Sequence, residues 1–233
     1  YGADYIVGER AVACSKNLIV STILLRKFFE DSNLINNQNV FVTKPKIEIL
    51  EVPVQKNKKI FFYYRPEYFH KRNLPETLME AMQQFCDRHT GYEIYMVGSV
   101  ATAYSFKQNG TPVYVINKLP KDRYVELISS CDVVVSMIYA AHPGVIAYQA
   151  AASGIPTVTN IFRNRDSLVL EQISSNIVPY DPVRDRLIDA IEKALTMPKG
   201  IQSFNEEIYS GRTAGSLVEF HKEILNTTSS HRI

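Results

Sequence analysis

Basic side chains are closely spaced in one loop of the sequence, where Arg65, Lys71 and Arg72 occur together with Asn73. The loop follows residues 59–64 (KIFFYY), an apolar run that is typical of a buried strand. Ligands of α/β proteins bind at the carboxyl ends of strands, and guanidinium groups bind phosphate oxygens in pairs. The loop therefore predicts a diphosphate site, although a solvated basic loop would have the same composition.

A second loop lies between the apolar strand predicted at residues 133–135 and the helix after it, and it contains His142, Pro143 and Gly144. The N–H groups of Gly144 and Val145, at the start of that helix, would favour an anion, but any helix begins in this way. His142 could hold a sugar or a diphosphate, or act as a general base. A histidine in a loop is also compatible with plain exposure to solvent.

Other loop residues with ionisable side chains are candidates for a general base, namely Glu67, His70 and Asp166. No Asp-x-Asp pair occurs in the sequence, and no group of residues has metal-ligand spacing, so we expect neither a metal nor another cofactor. Asp132 opens the central apolar strand and is interpreted as a structural or capping acid.

Composition limits the possible partners. The chain has 233 residues, 45% of them hydrophobic, and a formal net charge of +2. Its basic residues are spread among acids, which argues against nucleic acid, and no apolar run is long enough to span a membrane. Cys14, Cys86 and Cys131 are expected to be reduced core thiols, which indicates a cytoplasmic protein. Because the sequence begins at Tyr1, we expect a fragment of a longer polypeptide.

Strand patterns alternate with helix patterns across residues 59–195, which predicts an α/β fold with a doubly wound parallel sheet. Gly154 is expected to adopt a positive φ at the end of a helix. The predicted strands are 40–42, 59–64, 93–97, 112–116, 133–135, 155–159 and 177–178. The predicted helices are 15–29, 74–89, 121–130, 145–152, 167–174, 181–195 and 203–225, the last with a break near 211–215.

Three segments carry a resemblance to a known family. Residues 144–158 (GVIAYQAAASGIPTV) look like the Gly-x-Pro-x-x-Glu-Ala-x-Ala-x-Gly-x-Pro-Val stretch of GT-B glycosyltransferases, in their C-terminal, donor-binding domain. Residues 59–66 and 113–136 resemble the family's opening strand and its base-binding region. The resemblance implies a Rossmann-like nucleotide-sugar-binding domain at residues 55–200. It also implies an N-terminal remnant of the acceptor-side partner domain at 1–54, followed by a C-terminal helical region at 201–233.

The resemblance also implies roles for single residues. The nucleobase would lie against the turn that contains Asn117, Lys118 and Leu119. Gln149 stands where the family has the glutamate that binds ribose, and the family's earlier glutamate falls at Ala141. Because a retaining mechanism depends on that earlier acid, an inverting and metal-independent transfer fits this sequence better.

Two details look like rhamnosyltransferases that extend surface glycans: the loop with Arg65-Pro66 and Arg72-Asn73, and the pair His142-Pro143. The resemblance then implies transfer of a hexose, most simply L-rhamnose, from a UDP- or dTDP-sugar to a glycan acceptor. Two alternatives stay open. The chain could be a non-catalytic nucleotide-sugar-binding module of a larger multidomain enzyme, or a flavodoxin-like regulatory or phosphate-binding domain.

Overall fold

The computed structural model describes residues 10–43, 46–67, 72–211 and 218–222. These residues belong to two compact units. The smaller unit takes its described residues from the ranges 1–46 and 206–233, and the larger unit comprises residues 47–205.

The N-terminal part of the smaller unit is a strand, a helix and a second strand. These are β1 (Asn17–Val20), α1 (Ile23–Asp31) and β2 (Asn39–Val42), and the two strands pair in parallel. The predicted helix from Ser15 to residue 29 is therefore wrong in its first part. Thr22 caps α1 instead of Ser15, because its Oγ1 accepts a hydrogen bond from the Leu25 N–H at 3.1 Å. The β-branched residues Ile19 and Val20 pair with β2 instead of extending the helix.

The larger unit is built on one sheet of seven strands, with helices between them. The strands are β3 (Lys59–Tyr63), β4 (Glu93–Gly98), β5 (Tyr104–Gln108), β6 (Thr111–Asn117), β7 (Val133–Val135), β8 (Thr157–Asn160) and β9 (Ile177–Tyr180). The helices are α2 (Pro75–Arg88), α3 (Lys121–Ser130), α4 (Ile146–Ala152), α5 (Ser167–Ile173) and α6 (Leu187–Thr196). A further short helix, α7 (Glu206–Ser210), belongs to the smaller unit.

The strand order in the sheet is β5-β6-β4-β3-β7-β8-β9, and all pairs are parallel except β5 with β6. If β5 is left out and the six parallel strands are numbered 1 to 6 along the chain, their order across the sheet is 3-2-1-4-5-6. This is the order of the doubly wound nucleotide-binding fold. The predicted fold class is confirmed. The chain direction across the sheet reverses between β3 and β7, so a crevice is expected where these two strands end.

Apolar side chains fill both faces of this sheet. Ile60 and Phe62 pack on one face with Leu78 of α2, whereas Phe61 points to the other face and packs with Ile128 of α3. All five side chains are buried. The alternation within β3 therefore fastens helices to both sides of the sheet, and the carboxyl ends of the central strands remain uncovered by helices.

Two departures from the sequence prediction have local causes. Strand β5 is not predicted because most of its side chains are exposed, and its hairpin turn is made by Asn109 and Gly110, both with positive φ. Helix α6 begins at residue 187, not at 181, because the Asp181 carboxylate accepts the Val183 N–H and holds the preceding residues in a turn. The break predicted near 211–215 lies almost wholly outside the described residues.

The cysteines only partly match the prediction. Cys86 and Cys131 are buried, but Cys14 is exposed, so the expectation that all three belong to a core is wrong. Burial raises the pKa of the Cys131 thiol to about 12. None of the helices within the described ranges has the length and apolar character that crossing a bilayer would need.

Asp132 has the structural role expected of it. Its side chain is buried, and its two carboxylate oxygens accept the N–H groups of Asn57 and Lys58 at 2.8 and 2.7 Å. The buried Lys199 ammonium lies 3.8 Å from the same carboxylate. Asp132 thus ties the segment before β3 to the start of β7.

Gly154 follows α4 with a φ of +92°, as predicted for the end of that helix. Its N–H donates to Ala151 O, and its own carbonyl accepts the Gly200 N–H at 2.8 Å. A Cβ added at this position would lie 2.8 Å from the Gly200 carbonyl carbon. Both the backbone conformation and the close approach of a neighbouring segment therefore require glycine here.

We predict that Gly154→Ala lowers the free energy of unfolding by more than about 2 kcal/mol, since the left-handed backbone alone costs about 1–2 kcal/mol and the methyl group would collide with Gly200. Urea unfolding followed by circular dichroism measures the loss. Gly110→Ala is the matched control, because its φ is +82° but an added Cβ meets no described atom within 4 Å. Equal losses in the two variants would contradict the collision.

Candidate functional site

The crevice at the reversal point is an open cavity between the loops that follow β3 and β7. Its empty volume is about 510 Å³, including the part open to solvent. The residues that line it are Tyr63, Arg65, Arg72, Asn73, Ser136, Ile138, His142, Pro143, Gly144, Val145 and Ile146.

The cavity brings together most of the residues predicted from the two loops. Arg65, Arg72 and Asn73 come from the first loop, and residues 142–145 from the second. No aspartate or glutamate occurs among the described residues that line it. Its lining therefore has the charge expected of a site for an anion.

Arg65 is held at the rim of the cavity by Glu67. The Arg65 Nη2 lies 2.9 Å from Glu67 Oε1, and the Nε donates to the same oxygen at 3.2 Å. Partial burial would raise the pKa of Glu67, but the hydrogen bonds from Arg65 hold that pKa below its usual value. A carboxylate with a lowered pKa is a weak base, so the geometry favours Glu67 as the group that orients Arg65.

The two loops are hydrogen-bonded to each other. The Asn73 side chain is buried, and its Nδ2 donates to Met137 O at 2.7 Å, while the Tyr139 N–H donates to Arg72 O at 2.6 Å. The Asn73 amide nitrogen is thus used to fix the second loop. Asn73 lines the cavity, but its contact with a ligand remains a prediction.

His142 is exposed at the mouth of the cavity, and its Nδ1 accepts the Gly144 N–H at 3.0 Å. Partial burial and the positive charges of Arg72 and Arg165 lower the pKa of His142. The imidazole is therefore neutral near pH 7, with its proton on Nε2, where it can donate to an oxygen of a ligand. Gly144 has a φ of +76°, a backbone conformation that favours glycine.

A second cavity adjoins the first and contains part of the turn predicted to meet a nucleobase. Lys118 and Leu119 line it, whereas Asn117 does not. The Asn117 Oδ1 instead accepts the N–H of Lys118 at 2.8 Å. The cavity measures about 400 Å³ with its open part. Tyr63 and Arg65 line both cavities, so one ligand could extend through the two.

Besides Glu67 and Asn117, two more predicted residues line neither cavity. Gln149 lies on α4, and its Nε2 donates to Glu48 O at 3.2 Å. Asp166 is exposed and caps α5, because its Oδ1 accepts the Val169 N–H at 2.9 Å. Their roles in ribose binding and in base catalysis remain predictions.

Further predicted residues lie outside the part of the chain that the structure describes. These are Lys71, expected to bind phosphate, and His70, a candidate base. Tyr68 and Phe69, whose aromatic rings make them candidates to stack on a sugar, lie in the same stretch.

The sequence prediction missed Ser136, Ile138 and Ile146 of the first cavity, and it misjudged Tyr63 and Arg165. Tyr63 was assigned to the core strand with its aromatic neighbours, but it is half-buried and lines both cavities; its position at the end of β3 was the available signal. Arg165 lies between charged and polar residues in the sequence, a pattern that favours a salt-bridged position on the surface. Its side chain is instead buried, and it donates to main-chain carbonyls of the loop after β7.

Within the described ranges, no cluster of three or more histidine, cysteine, aspartate or glutamate side chains is arranged to hold a metal ion.

The family model described as the WsaF C-terminal domain matches residues 58–192, which is more than half of the chain. No curated protein sequence matches the chain significantly.

Solved glycosyltransferase structures share the fold. Sucrose-phosphate synthase from Thermosynechococcus elongatus superposes with a TM-score of 0.62 at 16% identity, over 85% of this chain and 53% of its own. Anabaena HepE, solved with UDP and glucose, has a TM-score of 0.59 at 16% identity, over 93% of this chain and 63% of its own. WaaG, a glycosyltransferase of lipopolysaccharide biosynthesis, has a TM-score of 0.53 at 11% identity, over 78% of this chain and 54% of its own. The fold is thus that of GT-B glycosyltransferases, and the chain spans roughly half to two thirds of these structures.

We predict that His142 titrates below the ordinary histidine pKa of about 6.5, and that Arg72→Gln raises its pKa because one nearby positive charge is removed. Two-dimensional NMR of the imidazole resonances measures both values, and His142→Gln assigns the signal. As the pH falls below about 6.5 the unfolded chain takes up this proton before the folded chain, so His142 lowers stability in that window and has no such effect above it. A His142 pKa above the ordinary value would refute the assignment.

Proposed function

The chain belongs to the WsaF C-terminal domain family, and from this premise we propose that it is the donor-binding part of a glycosyltransferase that uses a nucleoside diphosphate sugar. The observation that carries the proposal is the cavity at the reversal point of the sheet. It lies where doubly wound folds bind nucleotides, and Arg65 and Arg72 line it without a described carboxylate.

In this proposal the cations stabilise the diphosphate leaving group as its negative charge develops. Arg65 and Arg72 bind phosphate oxygens from the β3 loop, and Lys71 of the same loop adds a further charge. The His142 Nε2–H and the main chain at Gly144 donate from the other side. Because the sequence has no Asp-x-Asp motif, we propose that transfer is metal-independent.

The rest of the donor is proposed to extend from the first cavity into the second. A uracil or thymine base lies in the second cavity beside Lys118 and Leu119, with Asn117 at its edge, and a ribose hydroxyl bonds to Gln149. The transferred hexose, proposed to be L-rhamnose, lies near His142 and Pro143. The choice of rhamnose depends on the sequence resemblance alone, and the acceptor is proposed to be a glycan.

We propose an inverting transfer, which converts a β-linked donor into an α-rhamnoside. The general base is one of the four predicted candidates. Glu67 is paired with Arg65, and the Nδ1 of His142 already accepts a hydrogen bond, so neither geometry favours base catalysis. Asp166 caps α5 and lines neither cavity, so His70 is the first candidate to substitute and Asp166 the second.

A specific observation favours a second candidate, a non-catalytic nucleotide-sugar-binding module of a larger multidomain enzyme. Both acids of the family's paired motif are replaced, by Ala141 and Gln149. The chain also spans only 53% and 63% of two related solved structures. Residues 1–54 are proposed to be the end of an acceptor-side domain, 55–200 the donor-binding domain and 201–233 a C-terminal helical region. We propose a cytoplasmic location, where its free thiols stay reduced.

We predict that Arg65→Ala weakens UDP binding at least tenfold, because a hydrogen bond to a charged group is worth about 1.5–3 kcal/mol. Isothermal titration calorimetry measures the dissociation constant. The matched control is Arg123→Ala, which removes an exposed arginine that pairs with Glu126 on the surface of α3. UDP affinity that is equal in the two variants would exclude Arg65 from the diphosphate site.

Transfer itself is tested by incubating the protein with labelled UDP-, dTDP- and GDP-sugars and rhamnosylated acceptor glycans. The proposed enzyme gives a labelled glycan, and the anomeric coupling of the product in NMR gives its configuration. Nucleotide binding without transfer would favour the module. Absence of binding to every nucleotide would overturn both proposals.

A further inference from the structure

A tight turn follows β8, and it holds one arginine in a fixed position. The Phe162 N–H donates to Arg165 O at 2.9 Å, and the Arg165 N–H donates to Phe162 O at 2.8 Å. The next residue, Asp166, caps α5. The main chain of Arg165 is therefore fixed on both sides, and its side chain is fully buried beneath the loop that follows β7.

The Arg165 guanidinium donates to consecutive parts of that loop. Its Nη2 lies 2.7 Å from Ile138 O, and its Nη1 lies 2.9 Å from Ala140 O and 3.5 Å from Ala141 O. The guanidinium carbon is also 5.4 Å from the centre of the Phe162 ring. One planar, rigid donor group thus fixes three carbonyls within four residues, which a flexible lysine could not do in the same geometry.

Of the residues held by Arg165, Ile138 lines the first cavity, and Ala140 and Ala141 directly precede four further lining residues. Residues 142–145 follow Ala141 without a break, and all four line the cavity. A buried cation costs free energy unless it is well hydrogen-bonded, and the loop carbonyls provide those bonds. The position of the loop and the burial of the charge therefore depend on each other.

We propose that Arg165 is a positioning residue of the donor site: it sets the loop that presents residues 142–145 to the diphosphate, and its buried charge adds to the attraction for that anion. This inference rests on the proposed function. Arg165 touches the loop and is not among the residues that line the cavity, so in this proposal it acts through the loop and through its charge.

The state of His142 supports the inference independently of any donor. The charged groups that face this imidazole are Arg72 from the β3 loop and Arg165 from the β8 turn, and both disfavour its protonation. Arg65, which lines the same cavity, is a third cation near the site. The positive charge of Arg165 therefore acts on a residue that lines the cavity, although the Arg165 side chain is buried.

The test compares Arg165→Met, which removes the charge and the donors, with Arg165→Lys, which keeps only the charge. Arg163→Met is the matched control, because it removes an exposed arginine of the same turn. The readouts are the His142 pKa in the donor-free protein by NMR, UDP affinity by calorimetry, and thermal unfolding to confirm that each variant is folded.

We expect Arg165→Met to raise the His142 pKa towards its ordinary value and to weaken UDP binding at least tenfold. Arg165→Lys should keep the His142 pKa low. It should still weaken UDP binding severalfold, because lysine lacks the two Nη groups that hold the loop carbonyls. The control should match the unsubstituted protein in both measurements.

Three results separate the possible failures. A folded Arg165→Met with unchanged His142 pKa and unchanged UDP affinity would overturn the inference. If Arg165→Met does not fold, Arg165→Lys decides, and UDP affinity equal to that of the unsubstituted protein would overturn the positioning role. If the unsubstituted protein binds no nucleoside diphosphate, the proposed function fails. The charge effect is still tested in that case, because an unchanged His142 pKa in Arg165→Met would refute it.

Discussion

The site depends on the hydrogen bonds made to the main-chain carbonyls of the loop after β7. These carbonyls need donors, and the loop must meet that need without filling the crevice beside it. Side chains from neighbouring strand ends provide the donors. Thr159 donates to the carbonyl of residue 136, Asn73 to that of 137, Asn160 and Arg165 to that of 138, and Arg165 to those of 140 and 141. Buried carbonyls without partners would cost free energy, so the loop has one strongly favoured position. The cavity exists because these bonds are made with neighbouring segments and not by folding the loop inwards.

The same arrangement determines the charge of the site. The doubly wound order places the ends of β3 and β7 side by side, so the cations of one loop face the histidine of the other. Glu67 pairs with Arg65 and orients it, but it does not line the cavity. With Arg72 beside it and Arg165 below, the cavity keeps an excess of positive charge while the whole chain is almost neutral. The local field thus comes from topology more than from composition.

The sequence predicted what local patterns encode. The alternation of strands and helices over residues 59–195, the two loops at strand ends and the positive φ of Gly154 each depend on neighbouring residues, and the structure has all of them. Strand β1 was missed because it has only four residues, two half-buried, one exposed and one buried, and so short a strand carries little periodicity. Arg165 was misplaced because its partners are carbonyls 24 to 27 residues earlier in the chain, and no side-chain pattern marks a carbonyl. Tyr63 was missed because a strand end and a strand interior have the same residue types.

The glutamine at position 149 has a structural role within this chain. Its amide nitrogen donates to Glu48 O, and one turn later the Ser153 hydroxyl accepts the Leu50 N–H at 2.9 Å. Helix α4 and the residue after it therefore hold the first residues of the larger unit through two side chains one turn apart. A glutamate at this position is acceptor-only when ionised and could not donate to a carbonyl, whereas glutamine can do so and still offer its oxygen to a hydroxyl. Glutamine at position 149 thus makes a hydrogen bond that an ionised glutamate could not make, and it places no charge on α4.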